Sequence, residues 1–160
     1  PEGNKRWLEA ELKRTGHTPT IVSQGKVDDP DAPRVRVIWP RANAPAGAEQ
    51  ANAQSVAVLV DIPGGMLVTG DQGRESQERF VREVEPVRIA VVPHHGSSDQ
   101  SERLADAKIA FISVGENSYG HPSRRAFELY SSADVYDTKS CGTIVVAGSE
   151  VASRCEGPRG

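Results

Sequence analysis

Three of the four histidines in this 160-residue chain, His94, His95 and His121, stand directly after short apolar runs, in loops that contain glycine. Asp71 holds the same kind of position after the run 66–69. Loops at strand ends present side chains from a rigid scaffold into an open crevice, so one carboxylate and three imidazoles recurring there form a candidate site. Imidazole and carboxylate together bind Zn²⁺, Mn²⁺ or Fe²⁺ and leave coordination positions open for water. Two adjacent ions can hold a bridging hydroxide and clamp both the attacking and the leaving oxygen of a phosphodiester. Asp71, with two oxygens, suits the bridging position. Gly70, Gly96 and Gly120 let backbone and substrate approach closely, and the hydroxyls of Ser97 and Ser98 can donate to a phosphate.

Each of these residues also has an ordinary structural reading. Asp71 after Thr69-Gly70 serves equally as a turn residue or a helix N-cap. His94-His95 reads as an exposed loop pair, one member of which points away from any site, and His121 before Pro122 reads as a cap of the following helix. His17, beside Gly16 and remote from the strand ends, is a solvent residue. Arg124 and Arg125 form a solvated helix face.

The elements that must carry these side chains follow from the pattern of apolar residues. Trp7, Leu8 and Leu12 recur at helical spacing, with Asn4 to cap and Gly16 to end a helix over 4–15. Residues 18–23 read as a strand, and Arg34-Val35-Arg36-Val37 opens a half-exposed strand to Trp39. The Ala-, Pro-, Gly- and Asn-rich stretch 40–53 reads as a surface loop. The runs 55–62 and 66–69 flank Pro63-Gly64-Gly65 and predict a β-hairpin. A helix over 75–84, a buried strand over 88–92, a short helix over 101–105 and a strand over 109–114 follow. Pro122, at the first helical position, starts a helix to about 131. Final strands lie at 135–137 and 143–147, and 148–160 reads as a frayed, flexible tail. The fold class is α/β, of the α+β kind, in one partial domain over 1–147.

Composition agrees with one compact, loop-rich unit. Hydrophobic residues make up 37%, and 15 Gly, 11 Pro and 5% aromatics exclude a fibrous or wholly disordered chain. No apolar run approaches the roughly 20 residues a membrane helix requires. With 19 Lys+Arg against 22 Asp+Glu, the net charge of -3 offers no global attraction for nucleic acid, so a polyanionic substrate must be held locally. Cys141 and Cys155 lack metal or redox spacing. They pair as a disulfide if the compartment oxidises, or remain two thiols.

Taken in order, Leu67-Val68-Thr69-Gly70-Asp71, Val92-Pro93-His94-His95-Gly96-Ser97 and Ser113-Val114-Gly115-Glu116-Asn117-Ser118-Tyr119-Gly120-His121-Pro122-Ser123 resemble the metallo-β-lactamase-like domain of the ComEC family. These are DNA-uptake proteins of naturally competent bacteria. Ile38-Trp39-Pro40, Asn52 and Ser55 also look like that family, and the resemblance covers roughly residues 35–145. It implies an αββα sandwich, a hydrolase site on one edge of the paired sheets, and degradation of the DNA strand that is not imported. It further implies two divalent ions per complete site, Mn²⁺ or Zn²⁺ foremost. The soluble domain would be extracytoplasmic, belonging to a cell-membrane protein whose channel lies elsewhere in the polypeptide. Asp71 matches the metal-bridging aspartate, His121 the late metal-binding histidine, and His94 and His95 the paired histidines. Of that pair, His94 is the expected ligand and His95 the catalytic or substrate-facing partner, beside Asp71.

The His-x-His-x-Asp-His run that the family carries early in the domain is absent from these 160 residues. The expectation is therefore the C-terminal half of the sandwich, inactive alone, with phosphodiester hydrolysis of DNA when complete. Thr138-Lys139-Ser140-Cys141-Gly142 also replaces an acidic turn of the family. The alternatives are a non-catalytic structural or DNA-guiding domain of an uptake channel, or a small-molecule metallo-hydrolase of the same superfamily.

Overall fold

A computed structural model describes residues 2–18, 25–26, 35–41, 51–155 and 157–158. It is a mixed α/β fold. Helix α1 spans Glu2–Thr15 and ends at Gly16, whose φ of 71° suits a left-handed C-terminal residue. Asn4 thus lies inside the first turn instead of capping it. Trp7, on the apolar stripe, is 67% exposed. The strand expected over 18–23 and most of the loop 40–53 lie outside the described residues. Within that loop, Asn52–Gln54 form one 3-10 turn.

Strands β1 (Gly25–Lys26), β2 (Val35–Trp39), β3 (Ala57–Val60), β4 (Met66–Val68), β5 (Val87–Val91), β6 (Ala107–Ile112) and β7 (Asp134–Asp137) form one sheet in chain order. The pairs from β1 to β4 are antiparallel and those from β4 to β7 are parallel. The change has a local cause. Gly64 and Gly65, with φ of 82° and 72°, turn the chain tightly enough for a hairpin. After β4 the chain instead crosses through helix α2 (Arg74–Phe80), and the longer connection returns β5 parallel. A 3-10 turn over Val81–Glu83 extends α2, and another over Glu102–Ala105 precedes β6.

Side chains alternate between the two faces of the sheet. On one face Leu67, Ala90, Ala110, Ile112 and Val135 pack under Phe80, Leu104 and Tyr130, supplied by the helical connections. On the other, Ile89, Ile109 and Tyr136 pack with Cys141, Ile144, Val146 and Val151, while Ile62, Met66 and Phe111 are only partly buried.

Helix α3 spans Arg124–Leu129. Ser123, not His121, caps it, through a 3.1 Å bond from the Ala126 N–H to its hydroxyl, and Pro122, expected at the first helical position, lies before the cap with a cis bond to His121. The chain after β7 also departs from the frayed tail expected over 148–160. Helix α4 (Thr138–Cys141) leads to β8 (Val145–Ala147), which pairs with β9 (Glu150–Ala152) as a separate hairpin. Cys141 and Cys155 close a disulfide across it, and the Arg154 N–H donates to the Cys141 carbonyl at 3.1 Å. Three-residue strands carry little pairing energy of their own, and the crosslink removes entropy from the unfolded chain.

Closing a loop with a sequence separation of 14 stabilises by about 3 kcal/mol. Replacing both cysteines by alanine should lower unfolding stability by about that amount in urea titrations, with β9 amides losing exchange protection first. A loss under about 0.5 kcal/mol would show that packing alone holds the hairpin.

Candidate active site

Because β4, β5 and β6 are parallel, their C-terminal ends open on one edge of the sheet. The loops that follow them carry Asp71, His94-His95 and His121. The structure brings these four side chains together: the His95 Nε2 lies 3.5 Å from an Asp71 carboxylate oxygen, the rings of His94 and His95 are 6.4 Å apart, and those of His94 and His121 are 5.6 Å apart. His17 is exposed in the turn after α1.

The turn after β5 is built from three successive left-handed residues, His94 at φ 49°, His95 at φ 53° and Gly96 at φ 80°. For a residue with a Cβ this conformation costs about 1–2 kcal/mol, so the surroundings must hold it. The His94 N–H donates to the Gly70 carbonyl at 3.2 Å, the Ser97 N–H to the His94 carbonyl at 2.9 Å, and the Ser123 N–H to the Gly96 carbonyl at 2.8 Å. The His95 Nδ1–H donates to the Ser113 carbonyl at 2.7 Å. Since a carbonyl only accepts, this bond fixes the proton on Nδ1 and turns Nε2 toward Asp71. A Cβ on Gly96 would lie 2.8 Å from the Pro122 Cβ, and one on Gly70 would lie 2.6 Å from the Ser55 Cβ. Both glycines are therefore sites of close approach between neighbouring loops.

The loop after β6 is organised by Asn117. Its Nδ2 donates to the Gly115 carbonyl at 2.9 Å and to the His121 carbonyl at 2.8 Å. Its Oδ1 accepts from the Tyr119 and His121 N–H groups, each at 3.1 Å. One amide thus uses all its hydrogen-bonding capacity to shape the loop that delivers His121. Burial first, and then the neighbouring His94 and His95, hold the His121 pKa below the ordinary imidazole value, with Asp71 opposing the shift. The ring is therefore favoured in its neutral, ligand-competent form. Its Nδ1 is buried without a hydrogen-bond partner among the described residues.

Behind these loops lies a glutamine network that the sequence reading did not single out. Gln77 donates to the Gln72 carbonyl at 2.6 Å and accepts the Ser101 N–H at 2.6 Å. Gln100 donates to the Pro93 carbonyl at 3.3 Å and the Ser97 carbonyl at 2.8 Å, and Gln72 donates to the Ser55 carbonyl. The network fixes the exits of β4 and β5 against one another. Buried polar side chains interleaved with the histidine turn are its sequence signal, visible only once the turn is placed. Ser97 belongs to this support: it is buried and its hydroxyl accepts the Asp99 N–H at 3.2 Å. Ser98 is exposed. Arg124 pairs with Glu128 at 3.0 Å and Arg125 with Glu102, as a solvated helix face requires.

Three imidazoles and a carboxylate on one edge, with an unsatisfied buried ring nitrogen among them, fit the donor chemistry of a zinc or manganese site. Among the described residues, however, no three His, Cys, Asp or Glu side chains stand close enough to hold one ion. The four residues thus form an open, partial donor set. The 3.5 Å carboxylate contact joins Asp71 to His95, the expected catalytic partner, and not to the expected ligand His94.

No family model matches the chain, and no curated protein or solved structure matches it either.

Gly96→Ala combines a left-handed backbone with a collision against Pro122, and should cost about 2–3 kcal/mol in urea unfolding. An unchanged midpoint would show that the histidine turn is not held as described.

Proposed function

We propose that this chain is the C-terminal part of a ComEC-like, metallo-β-lactamase-type hydrolase domain that cleaves phosphodiester bonds of DNA with divalent metal ions. The observation that carries this reading is the convergence of Asp71, His94, His95 and His121 at one edge of parallel strands. The disulfide fits an extracytoplasmic location. No helix among the described residues is long and apolar enough to cross a membrane; a channel elsewhere in the same polypeptide is the partner that the resemblance implies.

In this reading Asp71, His94 and His121 would hold the ions, Mn²⁺ or Zn²⁺, together with ligands of the histidine-rich kind that the resemblance implies. Such metals would supply Lewis-acid polarisation of the phosphate and an activated water. His95, whose Nδ1–H donates to the Ser113 carbonyl, presents Nε2 at the site edge, where it would take or return a proton beside the Asp71 carboxylate. Ser98, exposed beside the turn, can donate to a phosphate oxygen.

The second reading is a non-catalytic DNA-guiding module of an uptake channel. Nuclease assays separate the two. The chain extended N-terminally should cut single- or double-stranded DNA with Mn²⁺, Mg²⁺ or Zn²⁺, and Asp71→Ala and His121→Ala should each lower the rate at least about a hundredfold, the scale for removing transition-state electrostatics. A folded, metal-loaded domain that leaves DNA intact would favour the module.

A further inference from the structure

Tyr119 is 83% exposed, against 67% for Trp7, 53% for Val145 and 43% for Val56, the other exposed large apolar side chains among the described residues. It does not hang loosely. Its ring lies 6.2 Å from the His121 ring with 26° between the planes, a stacked arrangement. Its N–H is held by Asn117 at 3.1 Å, within the loop that Asn117 ties at both ends. The phenol thus lies offset beside an imidazole of the candidate site, with most of its surface in water. An aromatic side chain on a backbone held in this way offers a flat, open surface at the place where substrate would lie.

We propose that Tyr119 is a stacking platform for a nucleobase of an unpaired nucleic-acid strand, setting that base beside the phosphodiester at the Asp71–His121 site. The proposal rests on the phosphodiesterase reading of this site and adds a strand preference to it. Bases in a duplex already stack on one another and hide their faces, whereas an unpaired strand can place one on Tyr119 whatever its sequence. The chain's net charge of -3 provides no general attraction for a polyanion, so local contacts such as this one must carry the binding. Tyr119 is in this account a substrate-positioning residue, and the histidine beside it orients its ring.

The test is a fluorescence titration of the 160-residue chain with a single-stranded oligodeoxynucleotide carrying 2-aminopurine, in buffer with chelator so that no cleavage contributes. Stacking quenches the probe. The unmodified chain should give saturable quenching, Tyr119→Phe should retain it, and Tyr119→Ala should lower its amplitude and raise Kd about tenfold. The same oligonucleotide in a duplex should bind about tenfold more weakly. The proposal is overturned by no binding of the single strand, by equal quenching and Kd in Tyr119→Ala, or by a duplex bound as tightly. Metal-dependent cleavage is scored separately. Quenching without cleavage by the extended chain defeats the hydrolase reading alone, and cleavage with a Tyr119→Ala titration unchanged defeats the platform alone.

Discussion

The candidate site depends on one backbone constraint, the left-handed turn His94-His95-Gly96 and the hydrogen bonds that hold it. Released from the Gly70, Ser113 and Ser123 contacts, two histidines with Cβ atoms would leave this conformation, and their imidazoles would leave the site with it. The turn is bonded to the loop after β4 on one side and to the loop after β6 on the other. Three strand-end loops therefore behave as one unit. Such local strain persists only where its surroundings over-determine it, and it clusters at functional sites.

The parallel half of the sheet makes this unit possible. Only strands running the same way end on the same edge, so Asp71, His94-His95 and His121 meet because β4, β5 and β6 are parallel. The antiparallel strands β1 to β3 widen the sheet, and the helical layer of Phe80, Leu104 and Tyr130 seals one face of it. The buried glutamines then couple the rigid sheet to its loops, since each carbonyl they bind would otherwise be costly to bury.

Much of this was legible in the sequence because the relevant signals are local. The β-branched runs and Pro63-Gly64-Gly65 specify the central hairpin, and strand-end glycines flag the loops that carry Asp71 and the histidines. What was not legible depends on contacts distant in sequence. Nothing near His94 or His95 announces positive φ, a conformation normally left to glycine. Glu150-Val151-Ala152 is too short and too polar to read as a strand, and β9 exists through its pairing with β8 and the Cys141–Cys155 bond. The helix expected to start at Pro122 starts instead at Arg124, because the Ser123 hydroxyl accepts the Ala126 N–H and sets the cap there. Asn117 stood in plain view four residues before His121, but its role emerges only when all four of its amide bonds close within one loop.

The central proposal is that Asp71, His94 and His121 contribute to a divalent-metal site, with His95 beside Asp71. It is tested most directly by following the four imidazole resonances of the chain in a proton–nitrogen correlation spectrum as Mn²⁺ is added. The account predicts selective paramagnetic broadening of His94, His95 and His121, lost in Asp71→Ala, with His17 left sharp as an internal control. Broadening of His17 alongside the others, or of none of the four, would contradict it.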